Sequence, residues 1–316
     1  MARRARLAAI AAETLRVLEA GAYDLPGGEQ AEIDEALRGA VDGTVLCGEG
    51  EDFADAGAGD EAASLEVTGE TSLEAGRRLQ AELGAASAQA ICVLNFASAK
   101  NPGGGFQNGA SAQEESLARS SGLFPCLVAY ERDFYAENRR DPNGALYSDA
   151  MLFSPGVPFF RKDNGEFCEL WTASVITCPA PNAGVACRHH GRKEILETMR
   201  RRCGRALRLA IARGQTHLVL GAFGCGVFGN DPRDVAEDFH HWLLGPPQLL
   251  RHFRHVVFAI PDGADGNHRE FAARFGVDPA EHAGGDAEEP RRQQRGGGGG
   301  KKERKERRWQ KSAGGL

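Results

Sequence analysis

The chain has 316 residues, of which 41% are hydrophobic and 26% charged, a composition typical of a folded protein with ample apolar material for a core. No apolar run approaches 18 residues and the basic start lacks a secretory core, so we expect neither a membrane span nor secretion. The net charge of −6 is uneven: residues 291–316 hold ten Lys or Arg and two Asp or Glu, or +8, which leaves −6 − 8 = −14 for the other 290 residues.

Helices and strands are predicted to alternate along the chain. Helices are predicted over 2–20, 29–40, 72–83, 113–130, 192–212, 232–244 and 267–275. Strands are predicted over 89–97, 151–153, 157–160, 171–178, 217–221 and 255–260. Thr71 and Glu74 have the spacing of a capping box, and Asp231 stands before Pro232 as a helix cap. Strands that alternate with helices indicate an α/β sandwich.

The most informative motif follows the predicted strand at 89–97. It consists of three glycines and, seven residues further on, a Gln-Glu-Glu triplet at a helix start: Gly103, Gly104, Gly105, Gln113, Glu114 and Glu115. Consecutive glycines let a backbone bend sharply and approach a ligand closely, although they cost chain entropy. The motif therefore predicts a tight cradle with two carboxyl groups beside it.

The adjacent carboxyl groups suit the cleavage of a glycosidic bond to ribose. Such a reaction needs a proton for the departing oxygen and stabilisation of an oxocarbenium-like transition state. A desolvated carboxyl group beside another carboxylate has a raised pKa, so it can deliver that proton at neutral pH. We expect Glu115 to be the general acid and then the base for water, and Glu114 to hold a ribose hydroxyl. The alternative is helix capping, because carboxylates in a first turn favour the helix dipole.

Cysteine usage argues against a metal site. The eight cysteines contain no CxxC pair, and several lie in apolar runs, which is typical of reduced, buried thiols. Cys187 with His189 and His190 could bind a metal only if a second well-spaced pair existed, and none does. We expect neither a metal nor a cofactor.

A second glycine loop follows the strand at 217–221, and it consists of Gly224, Cys225, Gly226, Val227, Phe228 and Gly229. It satisfies GxGxxG, but only one strand follows, which argues against a nicotinamide-binding Rossmann unit. Bare backbone N–H groups at a helix N-terminus bind phosphate oxygens, so a diphosphate loop of another kind is favoured over a simple packing turn. We expect Phe228 to contact a ligand and Phe223 to lie in the core.

Together these motifs resemble the poly(ADP-ribose) glycohydrolases of the macrodomain superfamily. The stretch 95–109, from Asn95 to Gly109, is similar to the compact bacterial-type branch, and Gly224 to Gly229 look like its diphosphate loop. The resemblance runs from the first helix to about Phe275. It implies a three-layer α/β/α macrodomain with a mixed central sheet and a helical N-terminal extension.

The resemblance also implies an activity and a role for each motif. The activity is hydrolysis of the ribose–ribose bond of poly(ADP-ribose) without a metal, from the chain end, releasing ADP-ribose. Glu115 matches the catalytic acid and Glu114 its ribose-holding neighbour, while Phe228 matches the aromatic that packs on the nucleotide. The remaining matched substrate-binding positions are Gly103, Gly104, Gly105, Gln113, Asn101, Gly224, Cys225, Gly226, Val227 and Gly229.

Three regions are expected: a helical extension over 1–85, the macrodomain over 86–283, and a disordered basic tail over 284–316. The tail is either a solubilising spacer, a nuclear-import signal or a nucleic-acid contact, so we expect a cytoplasmic or nuclear monomer. Two alternatives stay open for the function. One is a non-catalytic ADP-ribose reader, which would have no use for a buried acid. The other is a hydrolase acting on mono-ADP-ribosylated targets.

Overall fold

Two β-sheets and ten α-helices are present in the computed structural model, which describes residues 2–53, 63–84, 90–141, 143–261, 263 and 265–276. The strands are β1 (Ala22–Asp24), β2 (Gln30–Glu32), β3 (Val45–Cys47), β4 (Ser64–Thr68), β5 (Ile91–Phe96), β6 (Met151–Arg161), β7 (Phe167–Cys178), β8 (His217–Leu220) and β9 (His255–Ala259). The helices are α1 (Arg3–Ala20), α2 (Asp34–Gly43), α3 (Ser72–Leu83), α4 (Gln113–Ser120), α5 (Leu123–Val128), α6 (Glu137–Arg140), α7 (Ala183–Ala186), α8 (Arg192–Ala212), α9 (Pro232–Leu243) and α10 (Asn267–Phe275).

The central sheet has seven strands in the order β3-β6-β7-β5-β8-β9-β4. Strand β6 runs antiparallel to both of its neighbours, whereas β7, β5, β8, β9 and β4 pair in parallel. Strand β5 lies at the centre, in register with β7 from Cys92 opposite Ser174 to Phe96 opposite Cys178. The carboxyl ends of the parallel strands therefore meet at one edge of the sheet, where open α/β sheets bind their ligands.

Both faces of the sheet are covered by helices. Ile91 and Val93 of β5 pack into one core with residues of α3, α4 and α5, while Cys92 and Leu94 pack into a second core with α8, α9 and α10. Successive side chains of a strand point to opposite faces, so a strand buried on both faces is apolar throughout. This arrangement confirms the predicted three-layer α/β/α architecture with a mixed central sheet.

Local sequence signals set several helix boundaries as predicted. The side chain of Thr71 accepts a hydrogen bond from the backbone N–H of Glu74, and the Glu74 carboxylate accepts one from the backbone of Thr71, which completes the capping box of α3. Asp231 caps α9 by accepting from the backbone N–H of Arg233. The helix predicted over 113–130 is instead two helices, because the extended backbone at Ser121 interrupts it.

Two strands of the central sheet precede residue 85, which is the predicted end of the helical extension. Strands β3 and β4 both precede it, yet β3 pairs with β6 at one edge of the central sheet and β4 pairs with β9 at the other. Residues 29–40, predicted as one helix, contain β2 followed by the start of α2. Short edge strands carry a weak sequence signal because only a few residues show the pattern. The tail predicted over 284–316 lies outside the described residues.

Helix α1 packs on α4 and on the short 3-10 turn at Phe106–Asn108, and it also contacts Phe160 and Arg161 of β6. The Arg4 guanidinium donates to the carbonyl of Asn108 at 2.9 Å, and the Thr14 hydroxyl donates to the carbonyl of Arg119 at 2.5 Å. Within the described ranges, no helix is both long and apolar enough to span a membrane.

Candidate active site

A cleft of about 1360 Å³ opens at the carboxyl ends of the central strands. Its walls come from the loops after β5, β8 and β9, from the first turns of α3 and α4, and from Arg3 and Leu7 of α1. A cleft at this edge of a parallel sheet is the expected binding site of an α/β fold.

Gln113 fixes the start of α4 against the end of β5. Its side-chain oxygen accepts a hydrogen bond from the backbone N–H of Phe96 at 2.9 Å. Its amide nitrogen donates to the carbonyl of Leu94 at 2.8 Å and to the hydroxyl of Ser72 at 3.1 Å. Gln113 lines the cleft, but its hydrogen bonds anchor the start of α4 to the end of β5. They therefore position Glu114 and Glu115 beside the glycine loop.

Glu114 is buried, with 3% of its surface exposed, and its carboxylate is held by neighbouring protein groups. It accepts from the backbone N–H of Ser98 at 2.7 Å and from the Asn95 amide at 3.5 Å. Burial, together with the neighbouring carboxylate of Glu115 and against the hydrogen bonds from Ser98 and Asn95, raises the pKa of Glu114 from 4.5 to about 8. The two adjacent carboxyl groups therefore retain a proton between them near neutral pH.

Glu115 has one bound and one unpartnered carboxylate oxygen. Its Oε1 accepts from the backbone N–H of Gly105 at 2.9 Å. Its Oε2 is buried and has no hydrogen-bond partner among the described residues. An unsatisfied buried acceptor costs about 1–3 kcal/mol, more if charged, and such exceptions concentrate at functional sites.

Gly104 lies against both carboxylates. A Cβ at this position would be 2.3 Å from Oε1 of Glu115 and 3.1 Å from Oε2 of Glu114, and the backbone has a φ of +58°. Both the space and the left-handed conformation require glycine here. The predicted cradle is therefore wrapped around the protein's own carboxylates.

The second glycine loop is held by Asn230. The Asn230 amide donates to the carbonyls of Gly224 and Pro181, each at 2.9 Å. Val227 at the tip is 87% exposed, and the ring of Phe228 lies 6.1 Å from that of Tyr147. Gly224, Gly226, Val227 and Phe228 of this loop line the cleft, which is where a phosphate-binding loop is needed.

Most of the predicted binding residues line the cleft together. Those that do are Asn101, Gly104, Gly105, Gln113, Glu114, Glu115, Gly224, Gly226, Val227 and Phe228. Gly103, Cys225 and Gly229 do not line it. Gly103 packs on Phe106 and Ala118, Cys225 packs on the core with the pKa of its thiol raised to about 12 by burial, and Gly229 faces away toward α7.

Phe223 is fully buried, with its ring 5.8 Å from that of Phe96, which confirms its predicted place in the core. Sequence reasoning missed the contacts made by Asn95, Ser98 and Asn230. The signal for Asn95 was a single amide in an otherwise apolar strand, because a buried polar group needs a partner. The backbone N–H of Ser98 left no signal.

No group of three or more His, Cys, Asp or Glu side chains in the described part of the chain is arranged to hold a metal. His190, one of the candidate ligands, instead contacts the carbonyl of Asn143 and the carboxylate of Glu194. All eight cysteines are free thiols, and six of them are buried.

Comparison with known proteins gives a consistent family. A family model described as the microbial-type PARG (poly(ADP-ribose) glycohydrolase) catalytic domain matches residues 11–162. The crystal structure of poly(ADP-ribose) glycohydrolase from Thermomonospora curvata is 43% identical in sequence and has a TM-score of 0.81. That match covers 86% of this chain and 100% of the T. curvata chain.

Two ligand complexes are also similar. The T. curvata enzyme bound to the inhibitor ADP-HPD is 42% identical with a TM-score of 0.78, at 86% and 100% coverage. Poly(ADP-ribose) glycohydrolase from Deinococcus radiodurans in complex with ADP-ribose is 40% identical with a TM-score of 0.68, covering 80% of this chain and 98% of that chain. A comparison with curated proteins found no match.

Proposed function

This chain belongs to the microbial-type poly(ADP-ribose) glycohydrolase family, and on that premise we propose a role for each residue of its catalytic site. It is a hydrolase of poly(ADP-ribose). The observation that carries the residue assignment is the unequal bonding of the two carboxylates: Glu114 is held through both oxygens, whereas Oε2 of Glu115 has no partner among the described residues.

Glu115 acts first as general acid. It gives its proton to the bridging ribose oxygen as the bond from that oxygen to the anomeric carbon breaks, and an oxocarbenium-like centre forms. The Glu115 carboxylate then takes a proton from a water molecule as the water oxygen bonds to the anomeric carbon. The second step returns a proton to Glu115, so the enzyme ends the cycle in its starting state. The Gly105 N–H keeps the carboxylate aimed throughout.

Glu114 holds a hydroxyl of the reacting ribose and keeps a proton in the pair. Two adjacent carboxyl groups that interact strongly titrate as one system, so the pair retains a proton at neutral pH when one member has a pKa of about 8. A protonated carboxyl group both donates and accepts hydrogen bonds, as does the hydroxyl that it would hold.

The loop Gly224–Gly229 binds the diphosphate of the terminal ADP-ribose, and Phe228 packs on the nucleotide. The D. radiodurans relative was crystallised in complex with ADP-ribose, which contains both a diphosphate and a nucleotide. Asn101 contacts the distal ribose. We further propose cleavage from the chain end, which is supported by α1, because its Arg3 and Leu7 line the same cleft as the two glutamates.

The decisive variant is Glu115→Gln, which keeps the size of the side chain and removes the transferable proton. We expect turnover of labelled poly(ADP-ribose) to fall by roughly 100-fold or more, with ADP-ribose still bound in calorimetry. Glu131→Gln is the control, since that glutamate is half-exposed and pairs with Arg139 away from the cleft. Normal release of ADP-ribose by Glu115→Gln would reject the mechanism, and release of oligomers early in digestion would reject action at the chain end.

We also propose that the basic tail contributes to binding of anionic polymer or nucleic acid. Residues 291–316 carry +8 while the rest of the chain is acidic, and cations that neutralise phosphates make binding salt-dependent. Deleting 290–316 should weaken binding to single-stranded DNA and to polymer and flatten the salt dependence of both. A Gly-Ser tail of equal length is the control, and an unchanged salt slope would reduce the tail to a spacer.

A further inference from the structure

Arg119 is a buried cation in the wall of the cleft that the proposed reaction does not yet use. It lies one helical turn after Glu115 on α4, and only 6% of its surface is exposed. Residues four apart share a helix face, so Arg119 and Glu115 lie on the same side of α4. We propose that Arg119 is a positioning residue for Glu115, which fixes the loop that binds the Glu115 carboxylate and sets the charge around it.

A continuous chain of hydrogen bonds connects the two side chains. The Arg119 guanidinium donates to the carbonyl of Ala110 and, at 3.1 Å, to the hydroxyl of Ser116. The backbone N–H of Ala110 donates to the carbonyl of Gly105 at 3.2 Å, and the N–H of Gly105 donates to Oε1 of Glu115 at 2.9 Å. Loss of the guanidinium would therefore release the loop whose N–H aims the catalytic carboxylate.

Charge gives the second link between the two residues. The ionisable groups that face Arg119 are Glu115 on α4, Asp163 in the turn between β6 and β7, and Arg3 on α1. Burial lowers the pKa of Arg119, and the charges of Glu115 and Asp163 oppose that shift. An arginine stays charged in proteins, and a fixed cation beside a carboxylate favours its ionised form. Arg119 thus stabilises Glu115 after it has given up its proton.

The inference rests on the proposed role of Glu115, and a pH profile tests it. Glu115 must be protonated to act as an acid, so kcat/KM falls as pH rises through the pKa of the carboxyl pair. In Arg119→Met we expect that falling limb to move to higher pH by roughly half a unit to one unit. We also expect kcat to fall roughly 10- to 100-fold, while the Kd of ADP-ribose stays within about threefold.

Two further variants separate charge from packing. Arg119→Lys keeps the positive charge but loses the several N–H donors of the guanidinium. The falling limb of its pH profile of kcat/KM should therefore stay at the wild-type pH, while kcat falls. Arg161→Met is the matched control: Arg161 is 2% exposed and bonds to Thr14, Glu13 and Gly165 rather than to the cleft loop. The Arg161→Met variant should have a lower melting temperature, and the falling limb of its pH profile of kcat/KM should stay at the wild-type pH.

An unshifted profile in Arg119→Met would overturn the inference, as would a loss of ADP-ribose affinity equal to the loss of kcat. If Arg119→Met does not fold, Arg119→Gln is neutral, keeps a donor for Ala110, and must shift the limb in the same direction. Full activity of Glu115→Gln would instead reject the proposed function. An inactive Glu115→Gln combined with an unshifted Arg119→Met profile would reject only the role of Arg119.

Discussion

The two glycine loops of the cleft follow neighbouring parallel strands, β5 and β8, but their backbones face opposite environments. In the loop after β5 the backbone turns inward, and Gly104 contacts Glu114 and Glu115. In the loop after β8 the backbone is open: a Cβ on Gly226 would meet no heavy atom within 4 Å, and Val227 is 87% exposed. Glycine thus lets the backbone approach the two glutamate side chains in the first loop, and it leaves space for a ligand beside the second loop.

This difference separates the chemical step from binding. The first loop supplies N–H groups to the carboxylates, so changes there should act on kcat. The second lines the cleft with Gly224, Gly226, Val227 and Phe228, so changes there should act on KM and on affinity. A variant that removes an interaction made only in the transition state lowers kcat, whereas loss of uniform binding raises KM.

The largest expected effect comes from Gly104→Ala. The new methyl group would meet the flexible end of Glu115, so the chain should fold with a cost of roughly 1–2 kcal/mol for the left-handed backbone. The displaced carboxylate should lower kcat by roughly 100-fold or more.

Gly226→Ala is the matched variant in the other loop, because its backbone φ is not left-handed and the added group has space. We expect wild-type thermal stability, a kcat close to wild type and a raised KM. Equal losses of kcat in the two variants, measured by release of ADP-ribose, would break the comparison.

The next effect concerns the pH dependence of stability. The pKa of Glu114 is about 8 in the folded protein and near 4.5 in the unfolded chain, so its contribution is fully present below pH 4.5 and is lost as pH rises through 8. Glutamine does not ionise, so the variant Glu114→Gln lacks this loss of stability. The difference in free energy of unfolding between Glu114→Gln and wild type should therefore shift by roughly 2–4 kcal/mol in favour of the variant from pH 5 to pH 9.

Denaturant unfolding at both pH values measures this gain. Glu131→Gln removes the same charge at a half-exposed site and should change stability by less than about 0.5 kcal/mol at either pH. Parallel pH curves for Glu114→Gln and wild type would contradict the raised pKa.

The smallest effect is expected for Asn230→Ala in the second loop. Loss of its two hydrogen bonds frees the carbonyls of Gly224 and Pro181 and loosens the loop. The Kd of ADP-ribose should rise roughly tenfold, equivalent to about 1.4 kcal/mol. Asn164→Ala, in the exposed β6–β7 turn, should leave this Kd unchanged. A fall of kcat in Asn230→Ala as large as the fall in affinity would show that the loops do not act separately.

Much of the fold was predictable because the signals are local. The capping box of Thr71 and Glu74, the cap at Asp231 and the apolar run of β5 each need only a few neighbouring residues. The edge strands β3 and β4 were not predicted, because three to five residues without strong alternation give no periodic signal. Their partners, β6 and β9, are distant in sequence.

The candidate site likewise has features that were predictable from local sequence and features that were not. The sequence identified both glycine loops and the carboxyl pair, since unusual residue types at fixed spacing leave a local pattern. The separate states of the two carboxyl groups were not predictable from the sequence. The raised pKa of Glu114 arises from burial and from a neighbouring charge, and the free oxygen of Glu115 arises from which backbone N–H groups face it.

The sequence by itself therefore determined which residues can perform the chemistry and in which family of folds they act. Only the tertiary structure decided which carboxyl group has the raised pKa, which glycines line the cleft and where Arg119 lies. The physical reason is that residue type and spacing are local properties, whereas desolvation and hydrogen bonding depend on segments brought together from α1, β5, α4 and the β6–β7 turn.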